Sequence, residues 1–308
     1  MTKVFIDGSA GTTGLRIRER LEARRDIELI LLSEERRKQP EARAEALHAA
    51  DIAFLCLPDD AAREAVALAE GGDCAIIDTS TAHRTAEGWV YGMAELKGQR
   101  PRIAASKRVA NPGCHASGFI ALVAPLVEAG VVARDARLSC FSLTGYSGGG
   151  KKMIAQYEED GRDALLDAPR QYGLSQSHKH LKEMAAVCRL EAPPIFSPIV
   201  ADFYSGMEVS VPLFGAWVEG GLQRVREVYA DVYRGPVIRF AEQADEAGFL
   251  SAAKLSGSDA MEISVSGNDE RLLLTARFDN LGKGASGAAI QNMNLLMGVD
   301  ETEGLVLG

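Results

Sequence analysis

The sequence predicts an α/β protein: a doubly wound parallel sheet, followed by a second, α+β domain containing a mostly antiparallel sheet. Three observations predict it. Short all-apolar runs alternate with helix-forming stretches over the first hundred residues, alternation at period two takes over after about residue 115, and glycines gather in loops. The chain holds 31 glycines in 308 residues, above the usual share of about 7%.

Residues 3–7 (KVFID) read as a strand, and a glycine-rich turn follows. Gly14, Ile17 and Leu21 then recur on one face of a helix. The runs 27–32 (IELILL), 52–57 (IAFLCL) and 74–78 (CAIID) suit parallel strands buried on both faces. Between them, 34–50 and 59–70 are rich in Ala, Glu and Arg, which favour helix. Further on, 119–129 reads as helix, whereas 137–143, 207–212, 225–232, 261–265 and 272–278 alternate as strands with one covered face do. Residues 287–297 return to helix. The expected domains are 1–115 plus 283–308, and 116–282.

Charge and cysteine content exclude several classes. The formal net charge is −9, from 34 basic and 43 acidic residues, so no nucleic-acid partner is expected. No run of 18 apolar residues occurs, so no membrane partner is expected either. Five cysteines, an odd number without a C-x-x-C pair, fit neither a disulfide framework nor a zinc ribbon. The start lacks an apolar signal core, and a reducing cytoplasm is the expected setting.

Gly8, Ser9, Gly11, Thr12, Thr13 and Gly14 form a G-x-x-G-x-x-G loop between strand and helix, a variant of the dinucleotide fingerprint. Glycine permits the tight turn and lets backbone approach a pyrophosphate seated at the helix N-terminus. At the end of the second strand, Ser33 and Arg36 (or Arg37) suit a ribose 2′-phosphate, while Glu34 or Glu35 would suit a free hydroxyl. The balance leans to NADP over NAD.

Asn111-Pro112-Gly113-Cys114 is a turn leading into a helix. Backbone N–H groups and the helix dipole stabilise a thiolate at such a position, so Cys114 is the candidate nucleophile. The other four cysteines lie within apolar or helical stretches. Thiolate chemistry needs a proton-transfer partner. His178 and His180 are the candidates; no third ligand completes a metal site around them, and no metal is expected. The segment 145–151 (GYSGGGK) has the outline of a P-loop, but Lys152 stands where magnesium needs Ser or Thr. Ser147, Gly148 and Lys151 instead suit an anion nest for a phosphorylated substrate. A further glycine-rich loop, 279–287, carries Asn280, Lys283 and Gly284 and can line a cofactor or anion.

Together, the 8–14 loop, DTSTAHR at 78–84, WVYG at 89–92, ANPGC at 110–114, GYSGGGK at 145–151, HKH at 178–180 and DNLGKGASGAAIQNMN at 279–294 resemble, end to end, the short-form N-acetyl-γ-glutamyl-phosphate reductases of arginine biosynthesis. That family is similar to aspartate-semialdehyde dehydrogenase in fold and chemistry. The resemblance implies a Rossmann-type NADP-binding domain and an acyl-phosphate reductase, a phosphorylating aldehyde dehydrogenase run in reverse. Cys114 would attack the acyl phosphate, and NADPH would reduce the resulting thioester to N-acetylglutamate semialdehyde. His178 would serve as acid or base, with His180 as a neighbouring contact. Cofactor contacts would come from the 8–14 loop, Ser33, Pro58, Ser80, the 280–287 loop and Gln291.

Two features depart from the family pattern. His115 follows the cysteine where an aromatic ring is common, and 203–206 (FYSG) lacks an arginine that some members carry. The substrate carboxylate is then expected on Arg84 or Arg108, with Asn111, Ser147, Gly148, Lys151 and Glu183 about the rest of the substrate. The alternatives are a Cys114/His178 thiol hydrolase or acyltransferase on a vestigial nucleotide fold, and a reductase of an aminoadipyl or aspartyl phosphate. The expected partners are the small acyl phosphate and further copies of the chain, as homodimer or homotetramer.

Overall fold

The computed structural model describes Met1–Gly308, in two compact units. The first comprises Met1–Ala94, Gly98–Pro112 and Ala285–Leu305; the second comprises Glu95–Lys97, Gly113–Gly284 and Val306–Gly308. The chain crosses between them after Pro112, so Gly113, Cys114 and His115 belong to the second unit.

In chain order, β1 (Thr2–Asp7), α1 (Thr12–Glu22), β2 (Ile27–Ile30), α2 (Pro40–Ala49), β3 (Ile52–Leu55), α3 (Asp59–Leu68) and β4 (Ala75–Asp78) alternate strand and helix. Then come β5 (Val90–Tyr91), α4 (Gln99–Ala104) and β6 (Arg108–Ala110). The second unit runs α5 (Cys114–Glu128), β7 (Ser139–Gly145), α6 (Gly150–Glu158), β8 (Arg170–Gln171), α7 (His180–Cys188) and β9 (Ile195–Ala201). It continues with β10 (Met207–Phe214), α8 (Gly221–Val232), β11 (Ile238–Phe240), β12 (Met261–Gly267) and β13 (Arg271–Phe278). Helix α9 (Gly287–Met297) belongs to the first unit.

The first sheet has the order β2-β1-β3-β4-β6-β5, with every neighbouring pair parallel. The strand residues that meet the two helical layers are apolar because both faces are covered. Val4, Ile6, Phe54 and Ile77 pack with α1, α4 and α9, whereas Phe5, Ala53, Leu55 and Ile76 pack with α2 and α3. The strand order reverses between β1 and β3, opening a crevice beyond their C-terminal ends, where Gly8 follows Asp7.

The second sheet has the order β11-β12-β13-β10-β7-β9-β8. It is mixed, not mostly antiparallel as the alternating runs suggested. β7 and β9 run parallel, as do β11 and β12. The long excursion through α6, β8 and α7 carries the chain back to start β9 in the direction of β7, which no hairpin can do. Residues 225–232, expected as a strand, lie in α8 instead. Val225, Val228 and Tyr229 are its buried residues, and their spacing is helical. Helix α5 packs on β10 and β13, where Val209 meets Gly118. On the other face, Phe141, Ile195, Phe214 and Leu273 stand exposed.

Candidate active site

Cys114 is the first residue of α5, and its N-cap, Gly113, offers no side-chain cap. The first turn therefore presents backbone N–H groups and the positive end of the helix dipole at the thiol. Cys114 is half-buried. Burial pushes the Cys56 thiol up to about 12 and the Cys74 thiol up to about 11, and raises Cys140 and Cys188 as well. A Cβ placed on Gly284 would lie 3.0 Å from the Cys114 Cβ, so the glycine lets that loop run against the cysteine.

The next residue, His115, points inward. Its Nδ1 lies 2.6 Å from the Ser142 hydroxyl on β7, and its Nε2 lies 2.6 Å from the Tyr172 hydroxyl just past β8. Burial, and then the charge of His178, push the imidazole down to about 3, so it is neutral at ordinary pH. His178 and His180 stand with ring centroids 5.7 and 5.5 Å from that of His115. Phe196 packs on His115 and His178 at 5.3 and 5.1 Å. The His180 backbone N–H donates to His178 Nδ1 at 3.2 Å, which leaves the proton of the neutral ring on Nε2. His180 Nε2 lies 4.0 Å from the buried Glu183 carboxylate. The Tyr172 hydroxyl is raised by burial and, next, by the charge of a Cys114 thiolate. Ser142 and Tyr172 join this cluster without being candidates from the sequence, where His115 figures only as a departure. Their one signal is that Tyr172 precedes the HKH run by six positions.

The same unit holds the 145–151 loop. Asn280 Nδ2 donates to Ser147 Oγ at 3.0 Å, and its Oδ1 accepts from Gly206 N at 2.9 Å. Asn280 thus joins the Ser147–Gly148 turn. Lys151 is exposed on α6. The Lys283 ammonium is buried and neutralised by Glu95, at 2.8 and 2.9 Å from its carboxylate oxygens.

In the first unit, Gly8 has φ +88°, and a Cβ there would lie 2.3 Å from Cys56 O. A Cβ on Gly14 would lie 2.5 Å from Gly8 O. Packing demands both glycines. Gly11 differs: its φ is −76°, and a Cβ would meet nothing nearer than Gly8 O at 3.5 Å. Helix α1 has no side-chain cap there, so open room beside an uncapped N-terminus fits the phosphates of a dinucleotide. Beyond β2, Arg36 N donates to Ser33 Oγ, and the exposed Arg36 guanidinium pairs with Glu45. Pro58 precedes α3, and Ser80 Oγ donates to the buried Asp78 carboxylate at 2.8 Å. Asp78 also holds His83 Nδ1 at 2.6 Å. Arg84 donates to Thr79 O and Asn111 O, and Asn111 Nδ2 donates to Ala285 O. Arg108 stands apart from Arg84: it starts β6 and donates to Cys74 O and Lys107 O. Gln291 Nε2 donates to Glu301 at 2.8 Å. No group of three His, Cys, Asp or Glu is placed to hold a metal ion, and no helix is long and apolar enough to cross a membrane.

Residues 3–104 match the family model for the semialdehyde dehydrogenase NAD-binding domain, and 114–280 match that for the semialdehyde dehydrogenase dimerisation domain. The N-acetyl-gamma-glutamyl-phosphate reductase of Brucella anthropi is 50% identical over 306 residues, covering 96% of this chain and 98% of its own. That of Brucella ovis is 49% identical, with 96% and 99% covered. Among solved structures, aspartate semialdehyde dehydrogenase II from Vibrio cholerae, complexed with ASA, shares the fold at a TM-score of 0.74 and 17% identity, covering 96% of this chain and 98% of its own. The chain belongs to the semialdehyde dehydrogenase family and, within it, to the N-acetyl-γ-glutamyl-phosphate reductases.

Proposed function

We propose that this oxidoreductase converts N-acetyl-γ-glutamyl phosphate to N-acetylglutamate 5-semialdehyde and phosphate, with NADPH as reductant and Cys114 as nucleophile. The observation that carries the reading is the half-buried Cys114 at an uncapped helix start, adjoining the histidine cluster. Cys114 Sγ attacks the acyl carbon, and the carbon–oxygen bond to phosphate breaks with the electron pair leaving on phosphate. Bound NADPH supplies the hydride for the thioester carbonyl. The carbon–sulfur bond then breaks, and a thiolate leaves far more readily than an alkoxide would.

His178 presents its Nε2–H to the carbonyl oxygen, where negative charge grows in each tetrahedral intermediate. His180, backed by Glu183, carries the proton. This exchanges the roles that the resemblance implied, because the His178 Nδ1 is taken up by the His180 backbone. Ser147, Gly148 and Lys151 hold the departing phosphate, and Arg84 with Asn111 supports the acyl end. Ser33 and Arg36, just beyond β2, favour NADP over NAD.

The exposed Phe141, Ile195, Phe214 and Leu273, with Trp217 beside a groove of about 790 Å³, suit docking of a second copy as homodimer or within a homotetramer. Five free thiols suit a reducing cytoplasm. The test is an assay with N-acetylglutamate semialdehyde, phosphate, and NADP⁺ or NAD⁺. Phosphate-dependent NADPH formation is expected. Thioester hydrolysis without any cofactor requirement would favour the thiol hydrolase instead.

A further inference from the structure

His115 is wired as no hydrocarbon ring could be. Ser142 Oγ, His115 and the Tyr172 hydroxyl form a chain of two 2.6 Å contacts. A neutral imidazole has one N–H and one lone pair, so the chain can point in only two directions. In one, Ser142 donates to Nδ1 and Nε2–H donates to the Tyr172 oxygen. In the other, Tyr172 donates to Nε2 and Nδ1–H donates to Ser142.

Burial decides between them. Ser142 is fully buried, and His115 is its one side-chain hydrogen-bond partner. The second direction would therefore strand the Ser142 proton in the interior. Tyr172 is half-buried, so the first direction strands nothing: the phenol proton turns away from His115 to an acceptor outside the protein. Tyr172 is bonded to His115, the residue that follows Cys114 at the start of α5.

We propose that His115 is a positioning residue for the Cys114 chemistry: by relaying the Ser142 hydroxyl, it turns the Tyr172 O–H outward as a hydrogen-bond donor to the acyl group held at Cys114. This rests on the acyl-phosphate reductase reading. Neutrality of His115 is essential, since an imidazolium could not accept from Ser142. Burial and the neighbouring His178 both enforce it. The titratable rings packed on His115 are Tyr172, His178 and His180, with Phe196 closing the remaining side.

Two measurements test this, one of which needs no substrate. Long-range proton–nitrogen spectra of the ¹⁵N-histidine-labelled protein should show one ring, absent from His115→Phe, as the Nε2–H tautomer without titration from pH 5 to 9. An Nδ1–H tautomer, or a ring that titrates in that range, would overturn the proposal. In the assay, His115→Phe should lower kcat about tenfold, with KM for NADP⁺ unchanged and the melting temperature recorded alongside. Tyr172→Phe should lose about as much, and the double variant no more than either alone, because both remove one donor. His115→Gln keeps an acceptor and a donor and should recover most of the rate. Losses that multiply, or a His115→Phe enzyme with normal kcat, would refute the relay. If the wild-type protein shows no phosphate-dependent turnover, the reductase reading fails by itself, and the tautomer spectrum still decides the direction of the chain.

Discussion

The two units build their candidate sites from different material. In the first, the surface offered to a ligand is backbone: the 8–14 loop needs glycine at Gly8 and Gly14 because the chain's own atoms leave no room for a Cβ. In the second, side chains from α5, β7, the end of β8 and α7 converge on the start of one helix. A backbone site is defined by what is missing from a few positions adjacent in sequence. A side-chain site is defined by groups brought together from far apart. The first should break through shape, the second through chemistry.

The sharpest way to separate them is Cys114→Ala. Turnover should fall on the order of 10³-fold or more, since no other group can form the thioester. NADPH affinity, measured by fluorescence titration, should stay within about twofold. Loss of NADPH binding together with turnover would collapse the distinction between the two units.

Glycine substitutions probe the backbone site in the same spirit. Gly8→Ala forces an L side chain into φ +88° and against Cys56 O at 2.3 Å. It should cost about 1–3 kcal/mol from backbone strain alone, with more from the overlap, read by chemical denaturation. Gly11→Ala should fold normally, since its Cβ meets nothing closer than 3.5 Å. It should still weaken NADPH binding about tenfold by filling the room beside the helix start. If Gly11→Ala binds NADPH as the wild type does, the phosphates do not approach there.

These contrasts also explain what could be read from the sequence. The parallel sheet and the 8–14 loop were legible because order along the chain is enough: strand, glycines, helix, then apolar runs that need no alternation. Cys114 was legible because Asn-Pro-Gly announces the helix start. Val225–Val232 misled because VREVYADV supports either period over eight residues, and only packing of Val225, Val228 and Tyr229 selects the helix. The parallel pairing of β7 with β9 was hidden, because strand direction is decided by a connection and leaves no mark on the strand itself. Ser142 and Tyr172 were invisible for a related reason: each is an ordinary residue until the fold sets it against His115.

Acid stability sharpens the side-chain half of the comparison. Folded His115 is held at about 3 against 6.5 when unfolded. Between those values the unfolded chain binds a proton that the folded chain does not. Stability from this group is therefore complete above pH 6.5 and is lost as pH falls toward 3, by at most about 1.4 kcal/mol per unit. His115→Phe should flatten the slope of unfolding free energy between pH 6.5 and 4.5 by close to one proton relative to wild type. An unchanged slope would mean that His115 titrates normally.

The smallest expected effect concerns the substrate cation. Sequence alone leaves Arg84 and Arg108 as equal candidates for that cation. Their backbones separate them. Arg84 donates to Thr79 O and Asn111 O, beyond the C-terminal ends of β4 and β6. Arg108 pairs with Ile76 at the other end of β6, and its guanidinium is engaged with Cys74 O and Lys107 O. In parallel α/β sheets ligands gather beyond the C-terminal ends of strands. Arg108→Gln should therefore change KM for the semialdehyde by less than about twofold, whereas Arg84→Gln should raise it about tenfold or more. If the two variants exchange these outcomes, the substrate carboxylate approaches from the opposite edge of the sheet, and Asn111 loses its proposed role with Arg84.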